Sequence, residues 1–156
     1  MPFLSKPIRI LFLLAFFLGA ISCTGFAEED KVNWDSYESG MEKIKTEEKM
    51  GFLHFYTDWC TYCKLMVKQT FADPKVADYL NAHFISIKVN AEKEKDIAKK
   101  YNAYRFPSNW FLSKKGETVA NRPGFIPPDQ MITMLKYMHT GSYQEMNFQE
   151  FVDRQK

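Results

Sequence analysis

Two cysteines separated by two residues, Cys60 and Cys63, constrain this chain more than any other feature of its sequence. They follow residues 52–57, a short run rich in aromatic residues that lacks helical length and is typical of a buried strand. From Thr61 onward the apolar residues return at helical spacing. The pair therefore lies where a strand gives way to a helix, and one helical turn brings the two sulfur atoms close enough to bond.

A cysteine at the start of a helix has a chemical consequence. The first N–H groups of a helix have no partner inside it, and the helix dipole adds partial positive charge at that end. Both effects stabilise a thiolate, which is the reactive form of cysteine. We therefore expect Cys60 to act as the nucleophile. Cys63, one turn further in, is expected to resolve the mixed disulfide that Cys60 forms, closing a Cys60–Cys63 disulfide.

Other uses of a Cys-x-x-Cys pair fit the sequence less well. Haem attachment needs a histidine after the second cysteine, and position 64 is Lys64. A structural zinc site needs four ligands, whereas the chain has no second cysteine pair and its three histidines are scattered: His54, His83 and His139. A permanently closed disulfide over so short a loop removes little chain entropy. We expect no metal and no cofactor.

The first 27 residues have the pattern of an export signal. Lys6 and Arg9 give a basic start, and residues 10–21 form an uninterrupted run of apolar or small side chains. Twelve helical residues at ~1.5 Å each reach only about 18 Å, which is short of the ~30 Å hydrocarbon core of a bilayer. We therefore predict a cleaved signal peptide over residues 1–27, rather than an uncleaved anchor, and a single domain over residues 28–156.

Two cleavage positions compete in this leader. Gly25-Phe26-Ala27 offers small residues at both recognition positions and would start the mature chain at Glu28. Ala20-Ile21-Ser22-Cys23 resembles a bacterial lipobox and would leave a lipid anchor on Cys23; we favour the soluble product. Either cut leaves 19 basic against 19 acidic residues, which argues against nucleic acid as the main partner. A periplasmic or otherwise exported location would allow the remaining cysteine pair to persist as a disulfide.

The rest of the chain alternates between helical and strand patterns. Apolar spacing predicts helices at residues 34–47, 61–70, 73–80 and 91–101, a long last helix from Pro128, and a short docked helix in the tail. Strands are predicted at residues 52–57, 84–89, 109–112 and 118–121, the last two joined by a turn. Strands separated by helices imply parallel pairing, and the hairpin adds antiparallel strands. The predicted fold is an α/β three-layer sandwich with a mixed sheet of about four to five strands.

Residues 49–140 resemble the thioredoxin superfamily. Trp59-Cys60-x-x-Cys63-Lys64 after a hydrophobic strand matches the most specific motif of that family. Phe106-Pro107 lies before a strand, where the family places a cis-proline beside its active site. Gly116 falls in the turn of the strand pair, and Gly124 lies where a family glycine lines the substrate groove. The resemblance implies a thioredoxin-like fold and thiol–disulfide exchange.

Further residues relate the chain to one branch of that family and also set it apart. Asp58-Trp59-Cys60, followed by Thr70-Phe71-x-Asp73-Pro74-x-Val76, resembles the branch that includes the C-terminal domain of the membrane thiol:disulfide interchange reductase. The dipeptide between the cysteines is Thr61-Tyr62, neither Gly-Pro nor the Pro-His of the strong periplasmic oxidant. His54 stands where the family often has a buried aspartate that assists proton transfer at the second cysteine. A neutral His54 could accept that proton and a cationic one would favour thiolate; the alternative is a packed histidine that does not titrate.

The resemblance also implies a surface for substrates. A cis Pro107 would present the backbone of Phe106 to an extended substrate segment, in the manner of strand addition. Trp59 would cover one side of the sulfurs, Tyr62 would add apolar contact, and Gly124 would line the groove. The implied partners are proteins with cysteines or disulfides and a membrane redox partner, and we expect a monomer.

The leading hypothesis from the sequence is a thiol:disulfide oxidoreductase acting on exported proteins, with a reductase favoured over an oxidase. Direction depends on the reduction potential of the pair, which no residue establishes. Two alternatives remain open. One is a folding or assembly factor that uses the groove without turnover, and the other is a metal carrier that uses the cysteine pair with a histidine.

Overall fold

The computed structural model describes residues 30–156. The predicted signal peptide, both cleavage positions and Cys23 lie outside the described residues. The strands are β1 (Trp34–Asp35), β2 (Met50–Tyr56), β3 (Phe84–Asn90), β4 (Ser108–Leu112) and β5 (Thr118–Pro123). The helices are α1 (Tyr37–Thr46), α2 (Thr61–Met66), α3 (Pro74–His83), α4 (Lys95–Lys100), α5 (Pro128–His139) and α6 (Phe148–Arg154). A π-helical turn, Val67–Phe71, continues α2, and a 3₁₀ turn, Ser142–Gln144, precedes α6.

The five strands form one mixed sheet in the order β1-β3-β2-β4-β5. β1, β3 and β2 run parallel, while β4 and β5 are antiparallel to their neighbours. One hydrophobic core packs α2, α3 and α5 on one face of the sheet, and a second packs α1 and α4 on the other. The predicted three-layer α/β sandwich is confirmed, with five strands.

The prediction of a helix over residues 34–47 was wrong at its start. Trp34 and Asp35 instead pair with β3 as the edge strand β1, and α1 begins only after Ser36, whose side chain accepts a hydrogen bond from the Ser39 N–H at 3.4 Å. The Trp34 ring lies 5.0 Å from that of Phe71, centroid to centroid. Packing against the sheet therefore overrides the helical spacing of Trp34.

Other boundaries also shift by a few residues. β2 begins at Met50, two residues before the predicted strand. The helix predicted over residues 91–101 is only six residues long, because the side chain of Asn90 accepts hydrogen bonds from the N–H groups of Glu92 and Lys93 and holds a turn there. The predicted start of α3 is confirmed, with Pro74 in its first turn and the Asp73 carboxylate accepting from the Val76 N–H at 3.1 Å.

β2 is the central strand of the sheet and is covered on both faces. Phe52 belongs to the core under α2, α3 and α5, whereas Leu53 and Phe55 belong to the core under α1 and α4. This alternation assigns His54 to the same face as Phe52. Each fully buried side chain of this size contributes about 1.5–3 kcal/mol. The cores on both sides therefore hold the strand that leads into the two cysteines.

The close approach of α1 to the sheet depends on a glycine. Gly40 is buried in the middle of α1, and a Cβ at this position would overlap the side chain of Ile87 in β3. None of the helices between residues 30 and 156 has the length and apolar character needed to cross a membrane.

Candidate active site

Cys60 and Cys63 lie at the start of α2, immediately beyond the C-terminal end of β2. Cys60 is the residue that caps the helix, and its Sγ accepts a hydrogen bond from the Cys63 N–H at 3.1 Å. The two cysteines form a disulfide, with their Cα atoms 5.3 Å apart. Their side chains are 5% and 3% exposed, whereas Tyr62 between them is 62% exposed. The reactive pair is thus shielded at the base of an exposed aromatic surface.

The loop between β3 and α4 supports the residues in front of the cysteines. The Trp59 indole N–H donates to the Glu92 carboxylate at 3.0 Å, although the Trp59 ring is 67% exposed. The Asp58 carboxylate accepts from the Asn90 side chain at 3.0 Å. Sequence analysis identified Trp59 but not its supports, because Asn90 and Glu92 lie more than 30 positions further along the chain.

We call Trp59 and Tyr62 the first wall of the site, and the loop before β4, whose Phe106 contacts Trp59, the second wall. The Phe106–Pro107 peptide bond is cis, as the resemblance implied. The Gly124 N–H donates to the Pro107 carbonyl at 2.7 Å. Gly124 has a φ of +91°, which favours glycine over other residues. The Trp59 ring packs edge-on against Phe106, at 6.5 Å between centroids, so the two walls are in contact.

His54 lies in a row of polar side chains that crosses the sheet. In register, His54 of β2 stands between Lys88 of β3 and Asn109 of β4, so the three side chains share one face. His54 is completely buried, and its Nδ1 lies 2.8 Å from the Asn109 Oδ1. The buried Asn109 was not singled out in the sequence, because only strand register places it beside His54.

The hydrogen bonds of Asn109 define the tautomer of His54. The Asn109 amide donates to the carbonyl oxygens of Arg122 at 3.1 Å and Gly124 at 3.3 Å. Its Oδ1 must therefore face His54 as an acceptor, so His54 donates from Nδ1–H. The Nε2 atom then carries the lone pair, and it has no hydrogen-bond partner within the described part of the chain.

Burial determines the charge of His54. Desolvation lowers the pKa of His54 from its ordinary value of 6.5 to about 4; the Asn109 hydrogen bond and the Asp30 charge raise it, and the Lys88 charge lowers it. His54 is therefore a neutral imidazole at pH 7. Of the two charge states considered from the sequence, the structure supports the neutral one, which is also the state of the packed histidine that does not titrate.

His54 and Cys63 line the same small pocket. The pocket has a volume of about 170 Å³, and its walls also include Thr57, Asp58 and Lys88. The Thr57 hydroxyl, like the His54 Nε2, lacks a protein partner among residues 30–156. A polar pocket of this size has room for water, which can connect polar groups across it. The pocket therefore brings together the two residues for which the sequence raised the question of proton transfer.

Sequence analysis also missed Lys88, a charged residue on the wall of this pocket, and Asp30, which pairs with it. The Lys88 ammonium lies 3.0 Å from the Asp30 carboxylate and 5.3 Å from the centroids of both the Trp34 and Tyr56 rings. A lysine inside a largely apolar strand was the available signal for Lys88. Asp30 carried no signal, since it precedes every predicted element.

The described residues offer few side chains that could bind a metal ion together. Between residues 30 and 156, no three His, Cys, Asp or Glu side chains come together as a ligand group. His83 and His139, at the last turns of α3 and α5, stack on each other at 4.1 Å between ring centroids. Burial lowers the pKa of His139, as do the charges of His83 and Lys114. Nothing in this part of the chain favours the metal-carrier alternative over thiol exchange.

Comparison with known proteins agrees with the fold and the motif. Residues 37–139 match the family described as a thioredoxin-like domain. The thiol:disulfide interchange protein DsbD of Photorhabdus laumondii subsp. laumondii is 30% identical over 90 residues, which are 56% of this chain but only 15% of that protein.

Solved structures show the same relationship. The DsbD C-terminal domain of Neisseria meningitidis, in its oxidised form, superimposes with a TM-score of 0.54 at 26% identity, covering 64% of this chain and 90% of that one. A thioredoxin from Thermus thermophilus has a TM-score of 0.64 at 22% identity, covering 69% and 87%, and supports the fold alone. The chain thus belongs to the thioredoxin-like domain family and is homologous to the DsbD thiol:disulfide interchange proteins.

Proposed function

We propose that this protein is a thiol:disulfide oxidoreductase that acts on exported proteins, and that it works as a reductase. The observation that carries the proposal is the closed Cys60–Cys63 pair at the start of α2. Two features on either side support it: an exposed aromatic wall with a cis-proline loop, and a pocket that holds a neutral histidine.

The exchange proceeds in two displacements. The Cys60 thiolate attacks one sulfur of a substrate disulfide; that S–S bond breaks, the other substrate sulfur leaves as a thiolate, and a mixed disulfide forms. The Cys63 thiolate then attacks the Cys60 sulfur, releasing the second substrate thiolate and closing the Cys60–Cys63 disulfide. Two electrons pass from the dithiol to the substrate. A dithiol donor, proposed to be a membrane redox protein, reduces the pair for the next cycle.

His54 is proposed to handle the proton of the second step. Cys63 is nearly buried and must lose its proton before it can attack. The lone pair on the His54 Nε2 has no other partner in the described structure, and both residues line one pocket. His54 accepts the proton through that pocket and returns it to solvent, which makes it a catalytic base where the resemblance led us to expect an aspartate.

Substrates are proposed to bind across the two walls. An extended segment would pair with the backbone at Phe106–Pro107, with Gly124 at the edge of the groove. Trp59 and Tyr62 would contact its side chains, since both rings are more than 60% exposed. Tyr104 adds a third exposed aromatic ring, at 70%, two residues before Phe106. This surface fits unfolded or extended segments that carry apolar side chains beside a cysteine.

The proposal that the protein is exported is based on the sequence of its first 27 residues. We propose that residues 1–27 are removed and that the mature protein begins at Glu28 as a soluble monomer. The intact mass of the mature protein after expression in a bacterial host tests this step. A mass starting at Cys23 with added lipid would replace it with the lipoprotein alternative.

Insulin reduction by dithiothreitol tests the catalytic proposal. We expect the wild-type protein to accelerate precipitation of the insulin B chain, and Cys60→Ser to lose that acceleration. Equal acceleration by both would refute catalysis through Cys60. Wild-type protein that binds an extended peptide but gives no acceleration would instead support the folding-factor alternative. A reduction potential well above that of the glutathione pool would turn the reductase proposal into an oxidase.

A further inference from the structure

A segment that precedes the family domain contacts Lys88, which lines the pocket shared by His54 and Cys63. We call residues 30–35 the strap; they lie before residue 37, where the family match begins. The Lys31 N–H donates to the Phe71 carbonyl at 3.3 Å, and the Asn33 N–H donates to the Asn81 side chain at 2.8 Å. These bonds hold the strap against the π-helical turn and α3, and the β1–β3 pairing holds it against the sheet.

The strap delivers one carboxylate to Lys88. The Asp30 Oδ2 accepts from the Lys88 ammonium at 3.0 Å and from the Trp34 indole N–H at 2.8 Å. The two charged side chains are only 23% and 16% exposed, so solvent screens this pair less than a surface pair.

Lys88 is part of the wall that His54 and Cys63 share. The other charged groups on that wall are Asp58 and Lys64. Asp58 is engaged by Asn90 and, at 3.6 Å, by Lys93. Asp30 is therefore the group that neutralises Lys88 beside the pocket.

We propose that Asp30 is a positioning residue for disulfide exchange: its carboxylate holds and neutralises Lys88 and thereby sets how readily the Cys63 thiol ionises. This inference rests on the proposed function of the cysteine pair. An unpaired ammonium across the pocket would stabilise a Cys63 thiolate, and an unpaired carboxylate would destabilise it. Removing the Asp30 carboxylate should therefore favour ionisation of the Cys63 thiol, and removing the Lys88 ammonium should oppose it. Removing both charges should leave the ionisation unchanged.

Thiolate absorbance of the reduced protein, followed against pH, tests the proposal. Near the midpoint of the Cys63 titration, Asp30→Asn should raise the thiolate-to-thiol ratio about three- to tenfold, and Lys88→Met should lower it by a similar factor. The double variant should return to the wild-type ratio. Asp35→Asn is the matched control, because Asp35 is a strap carboxylate that pairs with Lys43 instead, at 2.5 Å.

The outcomes separate the two proposals. Titrations of Asp30→Asn and Lys88→Met that coincide with the wild type would overturn the role of Asp30, and so would equal shifts in Asp30→Asn and Asp35→Asn. A double variant that keeps the full shift of Asp30→Asn would show loss of structure rather than loss of charge, and would also overturn it. Failure of the proposed function appears separately, as no exchange between the wild-type pair and glutathione, while the thiolate titration still reports on Asp30.

Discussion

The buried histidine makes the stability of this protein depend on pH in a way that one substitution should remove. His54 has its pKa lowered to about 4 in the folded state, mainly by burial, against an ordinary value of 6.5. Between these two values the unfolded chain binds a proton that the folded protein does not. The stability contributed by His54 is therefore fully present above pH 6.5 and is lost as the pH falls toward 4.

The size of the effect follows from the two pKa values. At about 1.36 kcal/mol per pKa unit, lowering the pH from 7 to 5 should remove about 2 kcal/mol from the free energy of unfolding, and lowering it to 4 about 3 kcal/mol. His54→Asn provides the comparison, because asparagine cannot titrate but can still donate a hydrogen bond to the Asn109 Oδ1. All other titrating groups are common to both proteins, so the difference between their curves isolates His54.

Urea unfolding of the oxidised proteins at several pH values measures this difference. In the disulfide form neither Cys60 nor Cys63 titrates, so the cysteines add nothing to the pH dependence of either protein. The wild type should lose stability faster than His54→Asn between pH 7 and 4. Parallel curves would refute the reasoning, because they would mean that His54 is not desolvated; a wild type that gains stability on acidification would refute it more directly.

Three further substitutions test the site and its supports. Asn109→Ala should lower the free energy of unfolding by about 3 kcal/mol, measured by urea denaturation, because it leaves the buried His54 Nδ1–H without its acceptor and removes the amide that donates to the Arg122 and Gly124 carbonyls; an unchanged midpoint would contradict the network. Trp59→Ala should raise KM for insulin about tenfold while exchange with glutathione stays near wild type; equal losses for both would place Trp59 in the chemistry instead. Gly40→Ala should cost about 1–3 kcal/mol, seen as a lower Tm, because its methyl group overlaps Ile87. An unchanged Tm would contradict the close packing of α1.

The strap shows where prediction from sequence failed. Trp34 has helical spacing to Tyr37 and Met41, and local pattern alone cannot distinguish the first turn of a helix from an edge strand beside it. The Trp34 ring is held by contacts with Phe52 and Phe71, from elements that come later in the chain. The same is true of α4, whose start is displaced by the turn that the Asn90 side chain holds.

In the candidate site, too, the features set by neighbouring residues were predicted and those set by distant residues were not. Local patterns were sufficient for the strand before Cys60, the helix after it and the cap at Asp73, because each depends on neighbouring residues. The resemblance added the cis bond before Pro107. The partners of His54 could not be obtained in this way, since Asn109, Lys88 and Asp30 are 55, 34 and 24 positions away.

The sequence by itself determined the α/β architecture, the position of the cysteine pair at a strand–helix junction, and the presence of a histidine where the resemblance led us to expect an acid. Only the tertiary structure decided the neighbours, the charge and the tautomer of that histidine. Strand register places His54 between Asn109 and Lys88, and burial keeps His54 neutral. The hydrogen bonds of Asn109 place the proton of His54 on Nδ1 and its lone pair on Nε2. Register, burial and charge pairing are properties of residues far apart in the chain, which become neighbours only when the sheet has formed.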